Sequence, residues 1–233
     1  MNVISFVSRN AGAGKSTLAA HLAVAALATG RRCLLIDADP KTALTTWHAR
    51  RLHDAPAVRS AGRGIKQALA AARLEGFEWV FIDAPSDQWL AVTEAIRAAT
   101  LVVIPARASR FDLAAVHATV NAIRERDKPY AVVINAAPAK RDDEEPFAVA
   151  AARAQLEKLR IPVWAGQITQ RTGLAIALAT GASALETAPA SPAADEITGL
   201  WSAIARSVAA VKRAGSRIRI ARDGDHDIPA RAA

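Results

Sequence analysis

The 233-residue chain has little cysteine, methionine or tyrosine and no long apolar run, and these shortages exclude several classes of protein. The one cysteine, Cys33, cannot form a disulfide within the chain, and no Cys/His metal spacing is present. This excludes an iron–sulfur site built from several cysteines of one chain and favours a reducing, cytoplasmic setting. The apolar stretches are too short or too interrupted to span a bilayer, and Arg9 follows the first of them at once, which argues against a signal peptide.

The overall composition is that of a basic globular protein with a formal net charge of +8. This charge indicates an anionic partner, either nucleic acid or a membrane surface, or simply a soluble basic protein. The length suits one α/β domain with a large core, predicted over residues 1–214. Residues 215–233 alternate arginine with apolar residues and then become rich in aspartate, which predicts a disordered tail, basic and then acidic.

The most informative stretch is NVISFVSRNAGAGKST, residues 2–17. A β-branched run predicts a buried strand, a small-residue turn follows, and Lys15 opens an Ala/Leu-rich helix. This order is typical of a P-loop, because glycines let backbone N–H groups approach a phosphate and the helix N-terminus favours an anion. The residues expected to cradle a nucleotide are Asn10, Ala11, Gly12, Ala13, Gly14, Lys15, Ser16 and Thr17. The alternative, a turn that binds nothing, stays open because Arg9 stands where the pattern has its first glycine.

Two further predicted strands end in carboxylates. The stretch RCLLIDAD ends in Asp37 and Asp39, at positions i and i+2 that point the same way along a strand, and WVFID ends in Asp83. In a parallel sheet these strand ends face the phosphate cradle. Asp83 fits the Walker B aspartate that holds Mg²⁺ through water, with a cap on the next helix as the alternative role.

Strands and helices alternate along the rest of the chain. This pattern predicts an α/β fold, a doubly wound and mostly parallel sheet flanked by helices. Residues 53–63 and 185–195 are predicted to be loops. Residues 197–211 predict an amphipathic helix whose apolar face comprises Ile197, Leu200, Trp201, Ile204 and Val208.

Together these residues resemble the ParA/MinD family of P-loop ATPases, and most closely the small ParA-type partition ATPases that lack an N-terminal helix-turn-helix domain. The resemblance covers roughly residues 2–212. The stretches that carry it are Arg9–Thr17, Asp37–Pro40, Asp83–Pro85, and the pair Pro105–Asp112 and Ile168–Arg171.

The resemblance implies an ATPase that binds ATP and Mg²⁺, forms an ATP-dependent homodimer and coats nonspecific DNA. A ParB-like or other cargo-borne activator would stimulate hydrolysis, so that a plasmid, chromosome or protein complex is partitioned or positioned on the nucleoid. Lys15 would hold the β- and γ-phosphates, and Asp39 would orient the attacking water. Around the metal and the base, the residues implied are Ser16, Asp37 and Asp83 for Mg²⁺ and Asn135 for the adenine.

Asn10 departs from the family, which usually has a lysine there that reaches across the dimer to the partner's phosphates. Arg9, Lys140 and Arg141 are the cations that could replace this lysine. Without a replacement, ATP would bind while hydrolysis stays slow. An ATP-bound scaffold with little hydrolysis is therefore an alternative function.

The resemblance also places DNA contacts on basic residues near the dimer edge and the C-terminal helix. Here these residues are Arg171, Arg206, Lys212, Arg213, Arg217 and Arg219. Arg206 and Arg213 are two turns apart and share a helix face, which would bind phosphates without sequence preference. Three alternatives stay open: a solvated face of a core helix, a MinD-like membrane helix, which the Asp-rich end disfavours, and a metabolic P-loop enzyme.

Overall fold

A computed structural model describes residues 1–142 and 144–224, excluding the side chains of Phe111 and of residues 215–224. The strands are β1 (Asn2–Phe6), β2 (Cys33–Asp37), β3 (Ala57–Ser60), β4 (Trp79–Asp83), β5 (Leu101–Ala106), β6 (Tyr130–Ala137) and β7 (Val163–Thr169). The helices are α1 (Lys15–Ala28), α2 (Ala43–His48), α3 (Ile65–Leu74), α4 (Trp89–Ala98), α5 (Arg110–Arg124), α6 (Phe147–Lys158), α7 (Thr172–Ala179), α8 (Ala184–Thr187) and α9 (Pro192–Gly224).

The seven strands form one sheet in the order β3-β2-β4-β1-β5-β6-β7, and every pair of neighbours is parallel. The central strand β1 lies between β4 and β5. Strands β2 to β4 lie on one side of β1 and strands β5 to β7 on the other, so the strand order switches direction at β1. Ligands of open α/β sheets bind at such a position, beyond the carboxyl ends of the strands. The predicted fold class, a doubly wound parallel sheet flanked by helices, is confirmed.

Helices cover both faces of the sheet, which explains why its central strands read as continuous apolar runs. One apolar core lies between the sheet and helices α3, α4, α5 and α6. The other lies between the sheet and helices α1, α7, α8 and α9. All five residues of β2 and of β4 are buried, including the aspartate that ends each strand. The two cores therefore hold the strand ends rigidly in place.

Two predicted loops contain regular structure. Within 53–63, residues Ala57–Ser60 form the edge strand β3, whose short and partly exposed sequence carries no clear alternation. Within 185–195, helix α8 ends at Thr187 and α9 begins at Pro192. The capping box of Ser183 and Glu186 starts α8, and proline suits the first turn of α9, so local signals outweigh the loop-like composition.

The apolar face of α9 packs on the core as a structural face. Its five predicted residues are buried, with exposures between 0% and 5%: Ile197, Leu200, Trp201, Ile204 and Val208. None of the described helices is long and apolar enough to cross a membrane. The helix continues to Gly224, into the segment 215–233 predicted as a disordered tail. Residues 225–233 of this tail lie outside the described residues, and the boundary at residue 214 stays a prediction.

Candidate functional site

The loop between β1 and α1 has the backbone shape of an anion cradle. Gly12 and Gly14 have φ values of +84° and +94°, a region in which residues with a Cβ are strained. A Cβ added at Gly12 would meet nothing within 4 Å, so the space beside this glycine is open. Helix α1 begins at Lys15 with no side-chain cap and no acidic residue in its first turn. Its first N–H groups therefore remain available to an anion.

Lys15 is buried at the start of α1. Its Nζ donates a hydrogen bond of 2.8 Å to Ser86 Oγ and lies 3.5 Å from the carbonyl oxygen of Ser8. Burial lowers the pKa of Lys15, and the charges of Asp83 and Asp39 oppose this shift. Ser86, which sequence reasoning missed, follows the Asp83-Ala84-Pro85 motif directly and accepts the hydrogen bond of the lysine.

Asp37 and Asp83 meet at the carboxyl edge of the sheet, because β2 and β4 pair with these two residues in register. Ser16 Oγ donates a hydrogen bond of 2.5 Å to Asp83 Oδ2. Burial raises the pKa of Asp83 to about 7, against the opposing effects of Ser16 and Lys15. Asp37 Oδ2 accepts hydrogen bonds of 2.8 Å from the backbone N–H and the hydroxyl of Thr45, a supporting residue that sequence reasoning missed.

One carboxylate oxygen of Asp37 and one of Asp83 have no hydrogen-bond partner. These atoms are Asp37 Oδ1 and Asp83 Oδ1. Unpartnered buried oxygens are costly, and oxygen ligands suit a hard divalent cation such as Mg²⁺. The donor set of Ser16, Asp37 and Asp83 therefore fits the predicted metal. Asp83 does not cap the next helix, since α4 begins at Trp89 with Gln88 at its N-cap, so that alternative is wrong.

Asp39 lies just beyond strand β2. The strand ends at Asp37, and Asp39 stands in the bend that follows, where its Oδ1 accepts a hydrogen bond of 3.0 Å from the N–H of Lys41. The predicted extension of this strand to Asp39 is therefore wrong. Asp37 and Asp39 nevertheless line the same cleft, of about 670 Å³. We call it the acidic cleft; its lining includes Asp37, Asp39, Thr42, Ser60, Trp89 and Glu94.

A second cleft, of about 410 Å³, lies beside the loop. We call it the basic cleft; its lining includes Gly12, Thr17, Arg107, Asn135, Thr169 and Arg171. Asn135 Nδ2 donates a hydrogen bond of 2.7 Å to the carbonyl of Ala13, so this side chain braces the loop itself. A Cβ at Gly14 would lie 2.1 Å from the same Nδ2, which leaves glycine as the residue that fits. The predicted role of Asn135 at the adenine stays a prediction.

Asn10 is held on the outer side of the loop. Its Nδ2 donates a hydrogen bond of 2.8 Å to Asp112 Oδ1. Of the cations proposed to replace the family lysine, Arg9 lies over the ring of Trp89 at 5.9 Å from its centroid. The other two, Lys140 and Arg141, are exposed in the segment after β6.

A cation that sequence reasoning missed contacts the loop. Arg107, at the end of β5, donates a hydrogen bond of 3.1 Å from Nη2 to the carbonyl of Gly12. The only sequence signal for this residue was its place in the stretch Pro105–Asp112.

The predicted DNA-binding residues fall into three groups. Arg171 pairs with Glu196 at 3.1 Å and lines the basic cleft, away from the outer surface of α9. Arg206, Lys212 and Arg213 are exposed on α9. Arg217 and Arg219 belong to α9, but their side chains lie outside the described part of the chain.

Comparison with known proteins supports a common fold and family. Residues 4–184 match the family model described as the CobQ/CobB/MinD/ParA nucleotide binding domain. The sequence matches none of the curated proteins with which it was compared.

Solved structures of similar fold include three proteins of low sequence identity. Apo McdA from Cyanothece is 19% identical with a TM-score of 0.68, over 85% of this chain and 96% of that chain. The cell division protein MinD from Aquifex aeolicus is 18% identical with a TM-score of 0.68, over 88% and 97%. A protein described as a plasmid partition protein from Borrelia burgdorferi, bound to AMPPNP, is 15% identical with a TM-score of 0.64, over 88% and 99%.

Proposed function

Because the chain belongs to the CobQ/CobB/MinD/ParA nucleotide-binding family, we propose that it is a ParA-like ATPase. It binds ATP with Mg²⁺, dimerises on ATP, binds nonspecific DNA and thereby positions a cargo on the nucleoid. One observation carries this proposal: Lys15 and Ser16 open a helix directly beside two buried aspartates with unpartnered oxygens. The similarity to McdA, MinD and a plasmid partition protein supports the positioning role.

The chain's own residues divide the work of phosphoryl transfer, which needs positioning and electrostatic stabilisation more than covalent chemistry. Bound Mg²⁺ supplies charge neutralisation at the phosphates. The N–H groups of the loop and Lys15 would hold the phosphate oxygens, and the Ser16 hydroxyl, which donates to Asp83, would be a ligand of the metal. Asp37 and Asp83 provide the carboxylates around this site. Asp39, in the acidic cleft, accepts a hydrogen bond from the attacking water and orients it.

The DNA-binding part of the proposal is supported by the exposed cations of α9. Its apolar face is committed to the core, so the face that remains outward carries Arg206 and Arg213. Such cations bind phosphates by releasing counterions, and the affinity falls as salt rises. A membrane-bound helix would need that apolar face for the lipid, which disfavours the MinD-like alternative.

Binding to nonspecific duplex DNA with ATP, ADP or no nucleotide, at several salt concentrations, tests this function. We expect binding only with ATP, and none for Lys15→Ala. The double variant Arg206→Ala/Arg213→Ala should bind more weakly, with a slope of log K against log salt that is smaller by about 2. The matched control is Arg73→Ala/Arg97→Ala, two exposed arginines of α3 and α4. DNA binding that ignores the nucleotide, or that both pairs weaken equally, would contradict the proposal.

An ATP-bound scaffold is the second candidate function, and Asn10 is the observation that favours it. Asn10 supplies no charge and is hydrogen-bonded to Asp112. Multiple-turnover hydrolysis, measured with and without DNA, separates the two functions. Turnover that stays near zero while ATP still promotes DNA binding would favour the scaffold. If DNA binding is absent in every nucleotide state, liposomes and small-molecule phosphate acceptors test the membrane and metabolic alternatives.

A further inference from the structure

The loop between β1 and α1 is joined to the segment after β5 through one buried carboxylate. Asp112 Oδ1 accepts a hydrogen bond of 2.8 Å from Asn10 Nδ2 and another of 3.2 Å from the backbone N–H of Arg107. Its second oxygen accepts a hydrogen bond of 2.6 Å from Ser109 Oγ. Asp112 is only 5% exposed, so these bonds are shielded from water. The backbone of Arg107 is therefore fixed relative to the phosphate cradle.

The side chain of Arg107 extends from this fixed point over the cradle. Its Nη2 donates to the carbonyl of Gly12 at 3.1 Å, and the residue lines the basic cleft together with Gly14 and Thr17. A guanidinium has five N–H donors in a planar fork that matches phosphate oxygens, and the contact with Gly12 uses one of them. The exposed remainder of the side chain faces a cleft wide enough to admit a ligand.

Of the described residues, three further arginines near the loop have partners of their own, and Lys15 has the separate role of holding the β- and γ-phosphates in the proposed function. Arg171, on the far wall of the basic cleft, is paired with Glu196 at 3.1 Å. The guanidinium of Arg9 lies against Trp89, which lines the acidic cleft, and Arg126 lies 5.6 Å from the centroid of the same ring. Lys15 faces Ser86 and the charges of Asp83 and Asp39. Arg107 is thus the cation whose position on the basic-cleft side suits a polyphosphate.

We propose that Arg107 binds the phosphate chain of the nucleotide within the same subunit, and that the Asn10–Asp112 hydrogen bond holds its backbone in place for this role. The assignment rests on the proposed function and names a phosphate-binding residue for it. On binding, the guanidinium exchanges the Gly12 carbonyl for phosphate oxygens. Arg107 thereby supplies the positive charge that Asn10 does not.

Equilibrium binding of a fluorescent ATP analogue to the full chain tests this assignment. We expect Arg107→Ala to weaken binding by about tenfold or more, which is the usual range for a lost charge-assisted hydrogen bond. Arg107→Lys should retain most of the affinity, whereas Arg107→Gln should not. The slope of log Kd against log salt should be smaller for Arg107→Ala. The matched control is Arg110→Ala, an exposed arginine in the first turn of α5.

The experiment separates failure of this assignment from failure of the proposed function. If the wild-type chain binds the analogue and Lys15→Ala abolishes binding, while Arg107→Ala stays within twofold of wild type, only the assignment is overturned. Equal losses for Arg107→Ala and Arg110→Ala overturn it as well. A wild-type chain that binds no nucleotide overturns both. Thermal unfolding checks that every variant folds, and the salt slope reports charge lost at the ligand independently of stability.

Discussion

The acidic and basic clefts differ in charge, in construction and in their relation to the loop between β1 and α1. Gly12, Gly14 and Thr17 line the basic cleft, whereas the acidic cleft is lined by the segments after β2, β3 and β4 and by the start of α4. The acidic cleft takes its carboxylates from the end of β2 and from α4, including Asp37 and Glu94. The basic cleft takes its polar groups from the ends of β6 and β7 and from the segments after β5 and β7, including Arg107 and Arg171. Carboxylates thus line one cleft and arginines the other. Under the proposed function, the attacking water belongs with Asp39 in the acidic cleft and the phosphate chain with Arg107 in the basic cleft.

The largest expected effect on one cleft alone is that of Asp39→Ala in the acidic cleft. We expect kcat for ATP hydrolysis to fall about 1,000-fold, because a group that orients or deprotonates the attacking water contributes between about 100-fold and 10,000-fold. ATP affinity should stay within about threefold, since the carboxylate of Asp39 is hydrogen-bonded to the N–H of Lys41 and lines the acidic cleft. Turnover and analogue binding are measured together, with Asp54→Ala, an exposed aspartate, as the control. Equal loss of both quantities would assign Asp39 to binding.

A smaller effect is expected for Asp83→Asn, which keeps the shape of the side chain and removes its charge. The affinity gained on adding Mg²⁺ should fall by between about tenfold and 100-fold, the range for a residue that supports a metal from its outer shell. Affinity without Mg²⁺ should change little. Titration of the ATP analogue with and without Mg²⁺ measures both. An unchanged response to Mg²⁺ would contradict the metal-binding role of Asp83.

These aspartates show which parts of the site the sequence could predict. Strands β2 and β4 are continuous apolar runs that stop at a carboxylate, so Asp37 and Asp83 follow from pattern and parallel topology. The contact between Asn10 and Asp112 joins residues 102 positions apart, one in the loop after β1 and the other in the first turn of α5. No periodicity marks such a contact, because loop conformation depends on local turns and long-range hydrogen bonds.

The same reasoning explains which elements of the fold the sequence could predict. Strand β4 has the bounds of the predicted stretch WVFID, since a strand buried on both faces is a continuous apolar run. Strand β3 was missed because only one of its edges is paired and its residues are half-exposed. Arg107 was missed as a site residue for a related reason: its role depends on where the turn after β5 directs a long side chain.

The smallest expected effect is a pH dependence of the free energy of unfolding. It comes from a buried histidine behind the wall of the basic cleft. His21 on α1 is buried, and its Nδ1 accepts hydrogen bonds from Ser183 Oγ at 2.9 Å and from the N–H of Ala184 at 3.3 Å. These bonds tie α1 to the start of α8, just after α7, the helix that lines the cleft. Burial lowers the pKa of His21 from 6.5 to about 4. Between these values the unfolded chain binds a proton and the folded chain does not.

The contribution of His21 to the free energy of unfolding therefore decreases as pH falls from about 6.5 towards 4, by about 2 kcal/mol at pH 5. Asp83, whose pKa is raised to about 7, takes up a proton in the folded chain over the same interval and contributes with the opposite sign. Urea unfolding of the wild-type chain and of His21→Leu at pH 7.5 and pH 5 isolates the loss due to His21. His21→Leu should lack it, whatever its stability at pH 7.5, whereas His53→Gln, at an exposed histidine, should keep it. A loss of the same size in His21→Leu would place the titrating group elsewhere.

The fit between Gly14 and Asn135 makes substitutions at these two positions interdependent. Any side chain at position 14 would need the amide at position 135 to withdraw, and that withdrawal would release the carbonyl of Ala13. Changes at the two positions therefore do not add in free energy. A substitution at Gly14 should cost less in a chain that already carries a shorter side chain at position 135, because a Cβ at Gly14 would lie 2.1 Å from Asn135 Nδ2.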